Sequence, residues 1–170
     1  MRLGIFGGSF NPVHAGHLKL AATAFSELNL NEVIFVPSNH TPLKNSKEIL
    51  PASQRLGFLK KALSHFPYFR VSDCEIRRKG VSYTVDTLKA FRRKFGTEAR
   101  LFFLCGADTL KNLSRWKSLK EVLKLCRFVV MSRPGTKVKD LPEGVFYLPF
   151  DALSISATEI RRKRSKLWNW

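Results

Sequence analysis

Leu3-Gly4-Ile5-Phe6-Gly7-Gly8-Ser9-Phe10-Asn11-Pro12-Val13-His14-Ala15-Gly16-His17 is the stretch from which the rest of the chain can be read. The apolar run Leu3–Phe6 stops at Gly7-Gly8, the pattern of a buried strand running into a tight loop. From Ala15 the spacing changes. Leu18, Ala21, Phe25 and Leu28 recur at i, i+3, i+7 and i+10, the apolar stripe of a helix. A strand, a glycine loop and then a helix start put free N–H groups and a partial positive charge at the loop, which suits an anion. Two glycines let a phosphate approach the backbone closely. His14 and His17 stand three apart and share a face of a helical first turn, and Gly16 removes a side chain between them. A zinc pair needs one or two further ligands, and no other His/Cys cluster has a suitable spacing. Neither a Walker loop nor a G-x-G-x-x-G fingerprint occurs.

Outward from this stretch, strands and helices alternate. Val33–Val36 is a β-branched run closed by Pro37, and Ser38–Leu50 reads as a long mobile loop. Pro51 marks a helix start, with Leu56, Leu59 and Leu63 as its stripe. Phe69–Ser72 predicts a third strand, and Val85, Leu88, Phe91 and Phe95 predict a third helix. Leu101–Cys105 is the most apolar strand and ends at Gly106. Leu119–Leu125 predicts a helix, Phe128–Met131 a strand ended by Arg133-Pro134-Gly135, Val145–Leu148 a last strand, and Ser156–Lys166 a short helix. This order implies an α/β fold, a doubly wound parallel sheet with helices on both faces. Ligands of such sheets lie outside the carboxyl ends of the strands, at the switch point.

The 170 residues predict one domain, 1–170. Hydrophobic residues at 44% and charged residues at 25% exclude disorder and collagen-like structure. No apolar run approaches the length of a membrane span, and the first residues lack the apolar core of a signal peptide. Cys74, Cys105 and Cys126 are odd in number and widely spaced, which argues for a reducing cytoplasm over a disulfide framework. Lys and Arg total 30 against 13 Asp and Glu, a net +17 that implies anionic partners: nucleic acid, anionic lipid or phosphorylated small molecules.

Further motifs narrow the choice. Ile155-Ser156-Ala157-Thr158-Glu159-Ile160-Arg161 opens with a capping-box pattern, Ser156 and Glu159. With His14-Ala15-Gly16-His17 it resembles the paired H-x-G-H and I-S-x-T-x-I-R signatures of the nucleotidyltransferase superfamily. Ser82-Tyr83-Thr84-Val85-Asp86-Thr87-Leu88 and Gly106-Ala107-Asp108-Thr109-Leu110, followed by Trp116, resemble the bacterial nicotinate-mononucleotide adenylyltransferases. The resemblance runs from Met1 to about Arg162. It implies a Rossmann-like nucleotidyltransferase fold and transfer of the adenylyl group of ATP to nicotinate mononucleotide, with Mg²⁺ accompanying ATP and no metal ligand assigned among the site residues.

The same resemblance implies roles. His14 and His17 contact ATP phosphates, with His17 stabilising developing charge. Gly8, Ser9, Lys44, Ser156, Thr158 and Arg161 serve the ATP phosphates, Arg133 lies near the adenine side, and Asp108 binds ribose hydroxyls or helps hold a Mg²⁺-water shell. Trp116 stacks on the pyridine ring, and the amides of Thr84 and Lys117 receive the nicotinate carboxylate. Two departures stand out. Asn11 occupies a position where many relatives carry Asp, and the chain ends eight residues after Arg162, which leaves a homo-oligomer open. Transfer to phosphopantetheine is disfavoured by His14, where that subfamily typically has Thr, and by Trp116. The basic charge also raises a nucleic-acid-binding module, but the set of phosphate motifs argues against specific nucleic acid, and no membrane partner is expected.

Overall fold

The computed structural model describes residues 1–41, 49–132 and 141–149. In strand β1 (Arg2–Gly8), Leu3 and Ile5 enter one apolar cluster and Phe6 the opposite one, because successive strand residues face opposite sides. Strands β2 (Glu32–Pro37), β4 (Arg100–Gly106) and β5 (Arg127–Ser132) alternate in the same way. Ile34, Val36, Leu101, Phe103, Phe128 and Val130 lie on the Leu3 side, and Val33, Phe35, Phe102, Leu104, Val129 and Met131 on the Phe6 side. Strands buried on both faces read as unbroken apolar runs, as parallel strands do.

Strands β3 (Phe69–Val71) and β6 (Val145–Pro149) complete a six-stranded sheet in the order β3-β2-β1-β4-β5-β6. Every pairing is parallel. Helices α1 (Ala15–Glu27) and α2 (Ala52–Leu63) cover the Phe6 face, through Leu20, Ala21, Ala24, Leu59 and Leu63. Helices α4 (Thr84–Phe95) and α5 (Leu119–Leu125) cover the Leu3 face, through Val85, Leu88, Phe91 and Val122. The sheet is therefore doubly wound, as the sequence predicts, and the chain changes direction across it between β1 and β4.

Several details differ from the sequence reading. The buried stripe of α1 is Leu20, Ala21 and Ala24, while Leu18 and Phe25 are only half-buried. Small alanines let this helix lie close to the sheet. In α2 the buried stripe is Arg55, Leu59 and Leu63, with Leu56 half-buried. Helix α3 (Cys74–Arg78) and a 3-10 helix (Ala107–Arg115) were not predicted. A five-residue helix is too short to show a period. The predicted helix Ser156–Lys166 and most of the predicted loop Ser38–Leu50 lie outside the described residues. Among the described residues no helix is long and apolar enough to cross a membrane.

Candidate active site

The carboxyl ends of β1, β2 and β4 open into a cavity of about 600 Å³, at the switch point where such sheets bind ligands. Gly7, Gly8 and Ser9 line it from the end of β1 and the loop after it, and Val36, Ser38 and Thr41 from β2 and the loop after it. Glu75, Tyr83, Thr84 and Thr87 close one side, and Asp108, Asn112, Arg115, Trp116 and Lys117 another. Of the residues singled out from sequence, Gly8, Ser9, Thr84, Asp108, Trp116 and Lys117 thus share one cavity. Lys44, Arg133, Ser156, Thr158 and Arg161 lie outside the described residues.

His14 and His17 are not among the lining residues; they form the start of α1. His14 is the extended residue before the helix, with φ −146° and ψ 169°. The His17 N–H donates to the His14 carbonyl at 2.9 Å, and the His14 N–H donates to His17 Nδ1 at 3.2 Å. Because Nδ1 of His17 accepts, the proton of its neutral ring sits on Nε2, which becomes a donor. The two imidazoles stack with centroids 3.7 Å apart. The Phe10 ring meets His17 edge-on at 5.1 Å and lies so close to Gly8 that a Cβ there would stand 3.2 Å from it. This ring joins the cavity wall to the histidine pair. Nδ1 of His14 is buried with no hydrogen-bond partner, and burial lowers the His14 pKa, so the ring favours its neutral form.

Part of the cavity wall is aromatic. Trp116 meets Phe103 edge-on at 5.7 Å and Phe128 at 5.5 Å while also lining the cavity, so it serves core and site together. Lys117 Nζ lies 4.4 Å from the Tyr83 ring centroid and 4.0 Å from the Asp86 carboxylate. Thr84 is the first residue of α4, so its N–H has no intrahelical partner. Asp108 sits in the first turn of the 3-10 helix, and a Cβ on Gly106 would lie 2.7 Å from its Oδ1.

Glu75 and Tyr83 were missed as site residues in the sequence. Glu75 is buried, and the Thr87 hydroxyl donates to its Oε1, while Arg78 Nη2 donates to the Thr87 oxygen at 3.2 Å. Burial raises the Glu75 pKa, opposed by hydrogen bonds from Thr87 and Ser82 and by the Arg78 charge. Tyr83 lies within a quoted motif, yet a tyrosine before a helix carries no signal separating wall from core. Among the described residues no group of three or more His, Cys, Asp or Glu could hold a metal ion.

The cytidylyltransferase-like family model matches residues 5–163. A Moorella thermoacetica protein named "Probable nicotinate-nucleotide adenylyltransferase" is 41% identical over 94% of this chain and 79% of its own length. A Thermoanaerobacter protein of the same name is 38% identical over 96% of this chain and 82% of its own. The fold also matches the Plasmodium falciparum nicotinic acid mononucleotide adenylyltransferase complexed with NaAD, with a TM-score of 0.73, 19% identity, and coverage of 95% of this chain and 82% of that one. A family match over nearly the whole sequence, and relatives this similar over most of their length, mean that the chain belongs to the cytidylyltransferase-like family, among its nicotinate-nucleotide adenylyltransferases.

Proposed function

We infer that this protein transfers the adenylyl group of ATP to nicotinate mononucleotide, forming nicotinate adenine dinucleotide and pyrophosphate in NAD biosynthesis. The observation that carries this reading is one cavity at the switch point that gathers two unlike sets of residues. Gly8 and Ser9, with the histidine pair behind Phe10, suit phosphate. Trp116, Thr84 and Lys117 suit an aromatic carboxylate. The nucleophile is the mononucleotide phosphate, which is largely dianionic at neutral pH because its second pKa is near 6. It needs no general base. One of its oxygens bonds to the α-phosphorus of ATP, the bond from that phosphorus to the bridging oxygen breaks, and pyrophosphate leaves with the electron pair. Catalysis is then positioning of two anions and stabilisation of charge on the leaving group.

In this reading Nε2–H of His17 donates to the phosphate bearing developing charge. Lys44, Ser156, Thr158 and Arg161 add donors and positive charge to the phosphates, Arg133 takes the adenine side, Asp108 serves the ribose hydroxyls or a Mg²⁺-water shell, and Trp116 stacks on the pyridine. Mg²⁺ carried in with ATP would supply neutralisation of phosphate charge, and Asp108 at the cavity wall would help hold its water shell. We assign the whole of residues 1–170 to one nucleotidyltransferase domain and place the protein in the cytoplasm. A pyrophosphate-release assay with ATP and Mg²⁺ tests the reading against three acceptors: nicotinate mononucleotide, nicotinamide mononucleotide and phosphopantetheine. The acid should be used best, since backbone N–H donors satisfy a carboxylate, whereas an amide turns its own NH₂ on one of them at a cost of about 1–3 kcal/mol. Turnover with phosphopantetheine alone overturns the assignment, and equal kcat/KM for acid and amide overturns the preference.

A further inference from the structure

Arg55, one turn into α2, is the largest fully buried side chain in the described structure, with 1% of its surface exposed. Its guanidinium reaches four backbone carbonyls from three segments. Nη1 donates to Ser9 at 2.7 Å, Nη2 to Ser38 at 2.7 Å and to Asn39 at 3.3 Å, and Nε to Leu50 at 2.9 Å. Among the described residues no carboxylate pairs with it. A buried cation without a counter-ion is costly, and packing alone does not call for one, since an apolar side chain would continue the Leu59 and Leu63 stripe.

The directions of these bonds matter. In a trans peptide the C=O and the following N–H point opposite ways. The Gly8 carbonyl accepts from Ser38 N–H at 2.9 Å, so the Ser9 N–H is turned away from the β2 loop. The Ser9 carbonyl is held by Arg55, so the Phe10 N–H is turned away from Arg55. Arg55 does not line the large cavity, whereas Ser9 and Ser38 do. It grips the wall from behind.

We propose that Arg55 is a positioning residue of the adenylyl transfer, holding the glycine loop after β1 and the loop after β2 in one phosphate-facing arrangement and lending that wall a positive charge that no carboxylate among the described residues pairs. The proposal rests on the function inferred above. Arg55→Lys keeps the charge but cannot span the four carbonyls; Arg55→Met keeps the length and loses both. Each is assayed well below its melting temperature, with kcat, both KM values and the affinity for inorganic pyrophosphate measured beside the unmodified protein. Both variants should lose at least about tenfold in kcat, since small misplacements carry penalties of this size, with KM for nicotinate mononucleotide within about twofold. Arg55→Met should also bind pyrophosphate about tenfold more weakly, as expected from loss of a nearby charge at a poorly solvated wall, while Arg55→Lys should not. A folded Arg55→Lys with unchanged kcat overturns the positioning role, and equal pyrophosphate affinity in the two variants overturns the charge. Loss of folding in both overturns the proposal and leaves Arg55 a residue of the scaffold alone. If the unmodified protein transfers no adenylyl group, the inferred function has failed, and the pyrophosphate affinities, measured by calorimetry, still decide the role of Arg55.

Discussion

Phe10 adopts φ 45° although it is bulky and only 2% exposed. A left-handed backbone costs roughly 1–2 kcal/mol in such a residue, offset here by ring contacts to Phe6, Phe35 and His17. The contact to His17 places that ring's Nδ1 under the His14 N–H and leaves the proton on Nε2. His17→Ala should therefore lower kcat by about 10²–10³-fold, the usual effect of losing one preorganised donor, with a much smaller change in ATP KM. Steady-state kinetics check the split, and an unchanged kcat removes His17 from the chemistry. His14 affects stability through its protons. Burial lowers its pKa from 6.5, so below that pH the unfolded chain binds a proton that the folded chain resists. Stability should fall as pH falls from about 6.5 towards the folded pKa. Urea titrations across pH 5–7.5 should show this slope, and His14→Gln should flatten it. The histidines were legible in the sequence through their spacing and the adjoining glycines. Arg55 and Glu75 were not, because a buried charge looks like a surface charge until its partners are known.

Gly4 lies in the middle of β1, where a Cβ would meet Leu30 Cδ1 at 2.7 Å and Leu104 Cδ1 and Val33 Cγ2 at 3.2 Å. The turn after α1 can thus press Leu30 onto the sheet. Gly4→Ala should destabilise by about 1–3 kcal/mol through overpacking, read as a lower denaturant midpoint with an unchanged slope. At the far end of α4, Arg92 ties three pieces together. Its Nη1 donates to the carbonyls of Gly96, Thr97 and Ala99, and its Nη2 to that of Leu125. Arg92→Ala should cost about 1.5–3 kcal/mol, the range for hydrogen bonds from a charged donor, with catalytic constants unaltered in the folded fraction. Thermal melts and activity measured together check this, and a stability within error of the parent would make the latch dispensable. Element types were readable wherever a period had room to repeat. Helix α3 lacked that room, the 3-10 helix repeats every three residues rather than every 3.6, and the α1 stripe was misplaced because Leu20, Ala21 and Ala24, rather than Leu18 and Phe25, are the residues fully buried on the sheet.

At the scale of the whole molecule, 30 basic against 13 acidic residues give a net charge of +17 to a protein whose site is read as binding two anions. Such a field raises the local concentration of anionic substrates and is screened by salt within about 10 Å at 0.1 M. KM for ATP should therefore rise with ionic strength, and more steeply than KM for the mononucleotide, which carries less charge. Assays from low salt to about 0.5 M, with activity coefficients of Mg²⁺ and ATP held in account, check the ordering; parallel slopes would deny the field a role in ATP capture.

The sequence by itself determined the alternation of strands and helices, the two-faced burial of the strands, and the position of the glycine loop ahead of the histidine pair. These are local patterns, written in periods of 2 and 3.6 residues. It also carried the family, since Ser82–Leu88 and Gly106–Leu110 are contiguous motifs. Only the tertiary structure decided the strand order β3-β2-β1-β4-β5-β6, which brings Ser9, Thr84 and Trp116 to one cavity from separate crossovers. It alone decided that Arg55 faces inward onto carbonyls from three segments and that Glu75 meets Thr87. Those pairings join residues 12 to 46 positions apart, with the Leu50 carbonyl as the one near neighbour. No local period encodes a contact whose two halves are fixed by different elements of the sheet.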